Sequence, residues 1–90
     1  MTAESIAVTV KYLSALRDQA GVGCEVLHLP RGATLRDVSA RVAEAHGIGV
    51  PSAQTMATLN GRGWAQYSQG LDTPAGDGDV IDVFPPIAGG

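Results

Sequence analysis

The sequence predicts a small α+β domain, in which a mixed β-sheet of four to five strands carries one main helix on a single face. Three observations lead there. Residues 6–12 alternate side chains with the period of a half-buried strand. Residues 34–47 carry apolar side chains at helical spacing between a capping threonine and a stop glycine. Asn60-Gly61 sits between two apolar stretches, where a tight hairpin turn is the natural reading. Ninety residues fit one domain, taken as 1–90 with 84–90 as an extended tail.

The elements follow in order. Ile6, Val8, Val10 and Tyr12 form one face of a first strand, with Ala7, Thr9 and Lys11 on the other. Leu13 continues the Lys11 face, and Ser14 to Ala20 reads as a short helical turn stopped by Gly21. A second strand runs from Gly23 to Leu29 and stops at Pro30, which lacks a ladder N–H. Pairing it with the first strand as a hairpin is the simplest connection. Thr34 caps the helix, with Asp37 placed where an acidic group suits the dipole. Leu35, Val38, Val42 and Ala45 make its apolar stripe; Arg36, Arg41 and Glu44 lie off it, and Gly47 ends it. A loop with Pro51 leads to a third strand, Thr55 to Leu59. Trp64 to Tyr67 is the expected short return strand after Asn60-Gly61. Turns around Thr73-Pro74 precede a last strand, Val80 to Phe84, ended by Pro85-Pro86. With the first and last strands parallel in the middle and hairpins outside, this order is a β-grasp, or ubiquitin-like, roll.

Composition narrows the function. Six basic against nine acidic residues give a net charge of −3, and Lys11 is the single lysine. That argues against nucleic acid as partner, since phosphate binding uses clustered Lys and Arg. No 18-residue apolar run is present and no secretory signal is readable, so a soluble cytoplasmic protein without membrane contact is expected. A single cysteine, Cys24, excludes an internal disulfide framework and a multi-cysteine metal site. Cys24 alternates with Val22 and Val26 and reads as a small half-buried strand residue rather than a nucleophile. His28 and His46 have no second ligand at metal spacing and read as surface or capping residues. Gly61-Arg62-Gly63 reads as turn rather than phosphate cradle. Gly76-Asp77-Gly78-Asp79 lacks the frame and closing Glu of a calcium loop, so no metal is expected.

Chemistry points to the other end of the chain. After Phe84 come Pro85, Pro86, Ile87, Ala88, Gly89 and Gly90, none of them charged. The two prolines block the strand and favour extended backbone, so the segment can reach roughly 20 Å at about 3.1 Å per residue. Gly89 and Gly90 lack a Cβ and can thread a narrow channel. A flexible, neutral leash of this kind offers its terminal carboxylate to another enzyme. Asp82 is unsuited to burial without a partner, so Ile81 and Val83 should face the helix and Phe84 the open side of the sheet. Leu13 shares that side. Leu13 and Phe84, with Trp64 as a third member, form a candidate partner-binding patch at the root of the tail.

Val10-Lys11-Tyr12-Leu13 followed by Arg17 and Gly21, Leu29-Pro30-Arg31-Gly32-Ala33-Thr34-Leu35-Arg36-Asp37, Leu59-Asn60-Gly61, and Gly78-Asp79-Val80 leading into Pro-Pro and Gly-Gly together form a familiar set. On these residues nearly the whole chain resembles the small subunits of molybdopterin synthase, within the MoaD/ThiS-type ubiquitin-like sulfur carriers. Tyr12-Leu13 departs from the two aromatics frequent there. The resemblance implies that an E1-like enzyme adenylates Gly90 with ATP, that a persulfide donor turns it into a thiocarboxylate, and that the tail (Pro85 to Gly89) threads into the large synthase subunit of a heterotetramer. There it would give sulfur to a cyclic pyranopterin monophosphate. The chain would not be catalytic alone and would bind no permanent cofactor. Carriers for thiazole (thiamine) or cysteine synthesis, a protein modifier conjugated through Gly90, and a pure interaction module are the competing readings.

Overall fold

The computed structural model describes residues 4–86, and within them the predicted roll is present. Strand β1 spans Ser5–Tyr12, with Ile6, Val8, Val10 and Tyr12 all buried. A six-residue helix α1, Ala15–Ala20, follows and stops at Gly21, whose φ of 81° is left-handed and whose N–H reaches the Arg17 carbonyl at 2.9 Å. Strand β2, Cys24–Pro30, returns antiparallel in a register from Lys11↔Cys24 to Ser5↔Pro30. Helix α2 covers Leu35–His46. At its start the Asp37 carboxylate accepts the Thr34 amide at 2.8 Å, which ties the cap residue back onto the first turn. Gly47, at φ 69°, ends the helix as expected.

The helix stripe is shorter than the spacing suggests. Leu35, Val38 and Val42 are fully buried, but Ala45 is exposed. His46 takes the inward place at the end of the layer, its ring edge-on to Tyr12 with centroids 5.3 Å apart. The Glu25 carboxylate, 2.7 Å from its Nε2, holds the imidazole there.

Strand β3 is Met56–Leu59, one residue shorter than expected; Thr55 instead closes a turn with Ser52. Asn60 (φ 53°) and Gly61 (φ 88°) make the two-residue hairpin turn that the sequence announces. The return strand differs from expectation. It is β4, Arg62–Gly63, paired to Leu59 and Thr58. Trp64–Gln66, expected as strand, is a 3-10 turn. A two-residue turn starts the return pairing at Arg62, and burying the indole then bends the chain out of the sheet. Tyr67 secures the bend through its hydroxyl, which donates to the Leu59 carbonyl at 2.8 Å, while the Arg62 guanidinium lies 4.9 Å from the Tyr67 ring centre.

A second 3-10 turn, Gly70–Asp72, and the Thr73–Ala75 segment strap the helix start: Leu35 N–H donates to Thr73 and Ala75 N–H to Ala33. The Gly76–Asp79 turn engages its carboxylates internally, Asp79 accepting the Gly76 amide and Asp77 the Ala7 amide, both at 2.7 Å. Strand β5, Val80–Phe84, then enters the middle of the sheet. It runs parallel to β1 (Thr9↔Val80 to Tyr12↔Val83) and antiparallel to β3 (Met56↔Phe84 to Leu59↔Ile81), giving the order β2-β1-β5-β3-β4. Ile81 and Val83 face α2, as their parity requires, and are among the residues fully closed to solvent along with Val8, Val10, Leu35, Val38 and Val42. Ile81→Ala should therefore lower stability by about 2–5 kcal/mol through lost burial and a cavity, read from urea midpoints at unchanged slope.

Candidate functional site

The register decides what stands around the end of β5. Leu13 N–H donates to the Val83 carbonyl at 2.9 Å, which sets Leu13 beside Phe84. On the other side Met56 is directly opposite Phe84. Each neighbour in sequence, Tyr12, Val83 and Ala57, points into the core, so Leu13, Phe84 and Met56 all occupy the sheet face away from α2. Leu13 is 41% exposed and Met56 48%, with Phe84 half-buried between them. Three apolar side chains thus cross three adjacent strands in one row. The next row is polar: Cys24, Lys11, Asp82 and Thr58 in register across four strands. An apolar row with a polar border is the anatomy of a small docking surface.

The sequence reading placed Leu13 and Phe84 in this patch, and the structure brings them together. It does not bring Trp64. That side chain is 4% exposed and belongs to the core, because the bend after β4 turns it inward. Met56 takes the third place. Parity could have found it: with Ala57 and Leu59 inward, Met56 must be outward. Pro85 is half-buried and Pro86 exposed at the root of the tail. Ile87, Ala88, Gly89 and Gly90 lie outside the described residues.

Cys24 is exposed rather than half-buried. It sits on the edge strand with its side chain on the face that no layer covers. His28 is a surface residue whose carbonyl accepts from the Arg41 guanidinium at 2.7 Å.

A second polar cluster was not foreseen as a unit. One carboxylate oxygen of Glu25 accepts the Tyr12 hydroxyl and lies 2.7 Å from Nε2 of His46. Glu25 shares the inward face of β2 with Leu27 and Leu29, and that alternation was the available signal. Burial by itself would raise the Glu25 carboxyl, but the hydrogen bonds from Tyr12 and His46 and the imidazolium charge outweigh it and hold the group below its ordinary value. Burial, then the bond to Glu25 and its charge, push the Tyr12 hydroxyl up, so it stays protonated at neutral pH. The cluster therefore ties β1, β2 and the end of α2 together. Among the described residues no three His, Cys, Asp or Glu side chains gather as a metal site.

A mixed sheet grasping one helix, with its last strand central and flanked by an exposed apolar row, defines a ubiquitin-like β-grasp protein. Comparison with known proteins makes the assignment specific: residues 10–90 match the ThiS family, and the chain belongs to it. The search of curated proteins returned no match. Among solved structures, the chain is similar to a putative molybdopterin converting factor subunit 1 from Pyrococcus furiosus, at 32% identity and a TM-score of 0.76, over 91% of this chain and 99% of the other. It also resembles a chain in the complex of subunits 1 and 2 of molybdopterin-converting factor from Helicobacter pylori (25% identity, TM-score 0.62, 94% of this chain and 100% of the other covered). Small archaeal modifier protein 1 from Methanosarcina acetivorans shares the fold at 23% identity and a TM-score of 0.76, over 96% and 98%.

The Glu25 cluster carries a pH prediction. A folded-state carboxyl held low contributes stability that is complete above its ordinary value of 4.5 and lost as pH falls through the folded value. Glu25→Gln should cost about 1 kcal/mol at pH 7, the modest figure for a partly exposed charged hydrogen bond, and in urea titrations the gap to wild type should narrow as pH falls below the ordinary carboxylate range.

Proposed function

We propose that this protein is a sulfur carrier that works through its C-terminal Gly90 in molybdenum cofactor synthesis. The Leu13–Phe84–Met56 row at the root of the tail is the observation that carries the reading. It gives a partner a handhold beside the segment that partner must take up, and the family membership supplies the chemistry. In that chemistry an E1-like enzyme joins the Gly90 carboxylate to the AMP portion of ATP, releasing pyrophosphate. A bare carboxylate is a poor acyl donor, whereas the adenylate carries a good leaving group. A persulfide sulfur attacks the acyl carbon and AMP departs, leaving an acyl disulfide; a thiol then attacks the donor's sulfur of that S–S bond, forming a disulfide with the donor and releasing the thiocarboxylate. The tail, Pro85 to Gly89, then threads into the large subunit of molybdopterin synthase, in a heterotetramer, and sulfur passes to a cyclic pyranopterin monophosphate. ATP is consumed by the activating partner, and this chain keeps no cofactor of its own. The cytoplasm, where ATP and reduced thiols coexist, is the proposed setting; among the described residues no helix is long and apolar enough to cross a membrane.

The likeness to the molybdopterin-converting-factor structures from Pyrococcus and Helicobacter favours the pterin branch over thiazole or cysteine synthesis. A modifier conjugated through Gly90 is the second reading, favoured by the likeness to the archaeal modifier. Intact mass separates the two. Co-expression with the activating enzyme should add about 16 Da at the C-terminus, oxygen replaced by sulfur, whereas adducts on other proteins would mark conjugation. Deleting Gly89-Gly90 should abolish the gain and any complementation of a carrier-deficient strain; unchanged complementation would remove the proposal. Phe84→Asp should weaken binding to the large subunit by about 2 kcal/mol or more in calorimetry, as loss of an interface anchor does.

A further inference from the structure

The sequence holds six basic side chains, and the fold engages four of them. Arg36 pairs with Asp72 at 3.1 Å, and Arg41 donates to the His28 carbonyl at 2.7 Å. Arg62 donates to the Gln66 carbonyl at 2.9 Å and lies over the Tyr67 ring; Arg31 is engaged as well. The two that remain, Lys11 and Arg17, are exposed and make neither hydrogen bond nor ion pair among the described residues. Both line one depression, whose other wall residues are Tyr12, Leu13, Gly23 and Cys24. They come to it from separate elements. Lys11 is on β1, in register with Cys24 of β2. Arg17 comes from α1 and lays its stem beside Gly23, with Cδ 3.6 Å from where a Cβ there would stand. No carboxylate belongs to the wall. Asp82 stands across the register from Lys11 but forms no ion pair with it.

We infer that this depression is the charged rim of the docking row, and that a partner seated on Leu13, Phe84 and Met56 sets carboxylates against Lys11 and Arg17. Leu13 supplies the continuity, since it belongs both to the apolar row and to the wall of the depression. An apolar centre with a polar rim is how protein interfaces are built. Two cations beside apolar side chains suit a protein surface, whereas a nucleic-acid backbone calls for many more. Charge complementarity then selects an acidic partner surface. The chain as a whole carries −3 and repels such a surface, so a local positive site decides where it can land. The site also fixes orientation. Apolar contact along a simple row accepts a partner turned end for end. With unpaired cations at the Leu13 end and none at the Met56 end among the described residues, only one direction is favoured. The inference rests on the carrier reading, with the large synthase subunit as the partner.

Association kinetics of the full chain with the large subunit test it. Arg17→Glu and Lys11→Glu, both at exposed positions, should each slow association about tenfold at low ionic strength, and the deficit should shrink as salt rises. Arg17→Lys keeps the charge and should keep most of the wild-type rate. Arg36→Glu makes the same change in net charge on α2 and should move the rate little. Unchanged urea midpoints for Arg17→Glu and Lys11→Glu check that both remain folded. Cys24, exposed in the same depression, should lose its reactivity toward the neutral disulfide dithiodipyridine when the large subunit is bound. Rates for Arg17→Glu and Lys11→Glu equal to that of Arg36→Glu would overturn the inference, as would Cys24 reactivity unchanged in the complex. Either result leaves the carrier reading standing, because the mass gain at Gly90 is measured with the activating enzyme and without the large subunit. A wild-type chain that does not bind the large subunit overturns the inference together with the pterin reading.

Discussion

The parallel pairing of β1 with β5 constrains everything else in this protein. Parallel neighbours cannot be joined by a tight turn, so the chain between them must cross over, and here the crossover carries α2. That places the helix on one face and leaves the other open. It also buries β5 between β1 and β3, where Ile81 and Val83 anchor it without any exposure. A strand held on both edges delivers its end to a fixed place on the surface. The apolar row around Phe84 depends on that fixed place, since Leu13 and Met56 meet it only in this register.

The open face shows how little sequence is needed to make a docking surface. Strand parity alone separates Leu13, Phe84 and Met56 from their buried neighbours Tyr12, Val83 and Ala57. Because side chains alternate with period two, a shift of one residue in register would bury the row and expose the core. Asn60 fixes that register on the β3 side, donating its amide to the Val80 carbonyl and accepting the Val80 N–H on its Oδ1, and the Leu13 amide bond to Val83 fixes it on the β1 side. The core and the interface are therefore specified by the same hydrogen-bond ladder.

Much of this was legible before any coordinates, and the failures have physical causes. The alternation in β1 and β5, the capped and stopped helix, and the two-residue turn are local signals, and each produced its element. Trp64 was misplaced because β-propensity and a preceding turn say strand, while the cost of exposing an indole says core; burial decided, and the backbone bent to allow it. Cys24 was misread for a related reason. Alternation tells which residues share a face but not whether that face is covered, and β2 lies at the edge with its outer side bare. The Tyr12–Glu25–His46 cluster joins residues far apart in sequence, so no local pattern announces it, although Glu25 among inward leucines was a polar residue in need of a partner.

In that cluster the polar groups engage one another. A carboxylate held low by two donors and a phenol pushed up by burial and a neighbouring negative charge are poor proton shuttles near neutrality. Their strong mutual preference stabilises the junction of β1, β2 and α2, and the same preference makes each unavailable to a substrate. The histidine faces the carboxylate rather than solvent, and the exposed cysteine has no base beside it among the hydrogen-bond partners seen. What the described residues present to a partner is the exposed apolar row of Leu13, Phe84 and Met56 beside the end of β5.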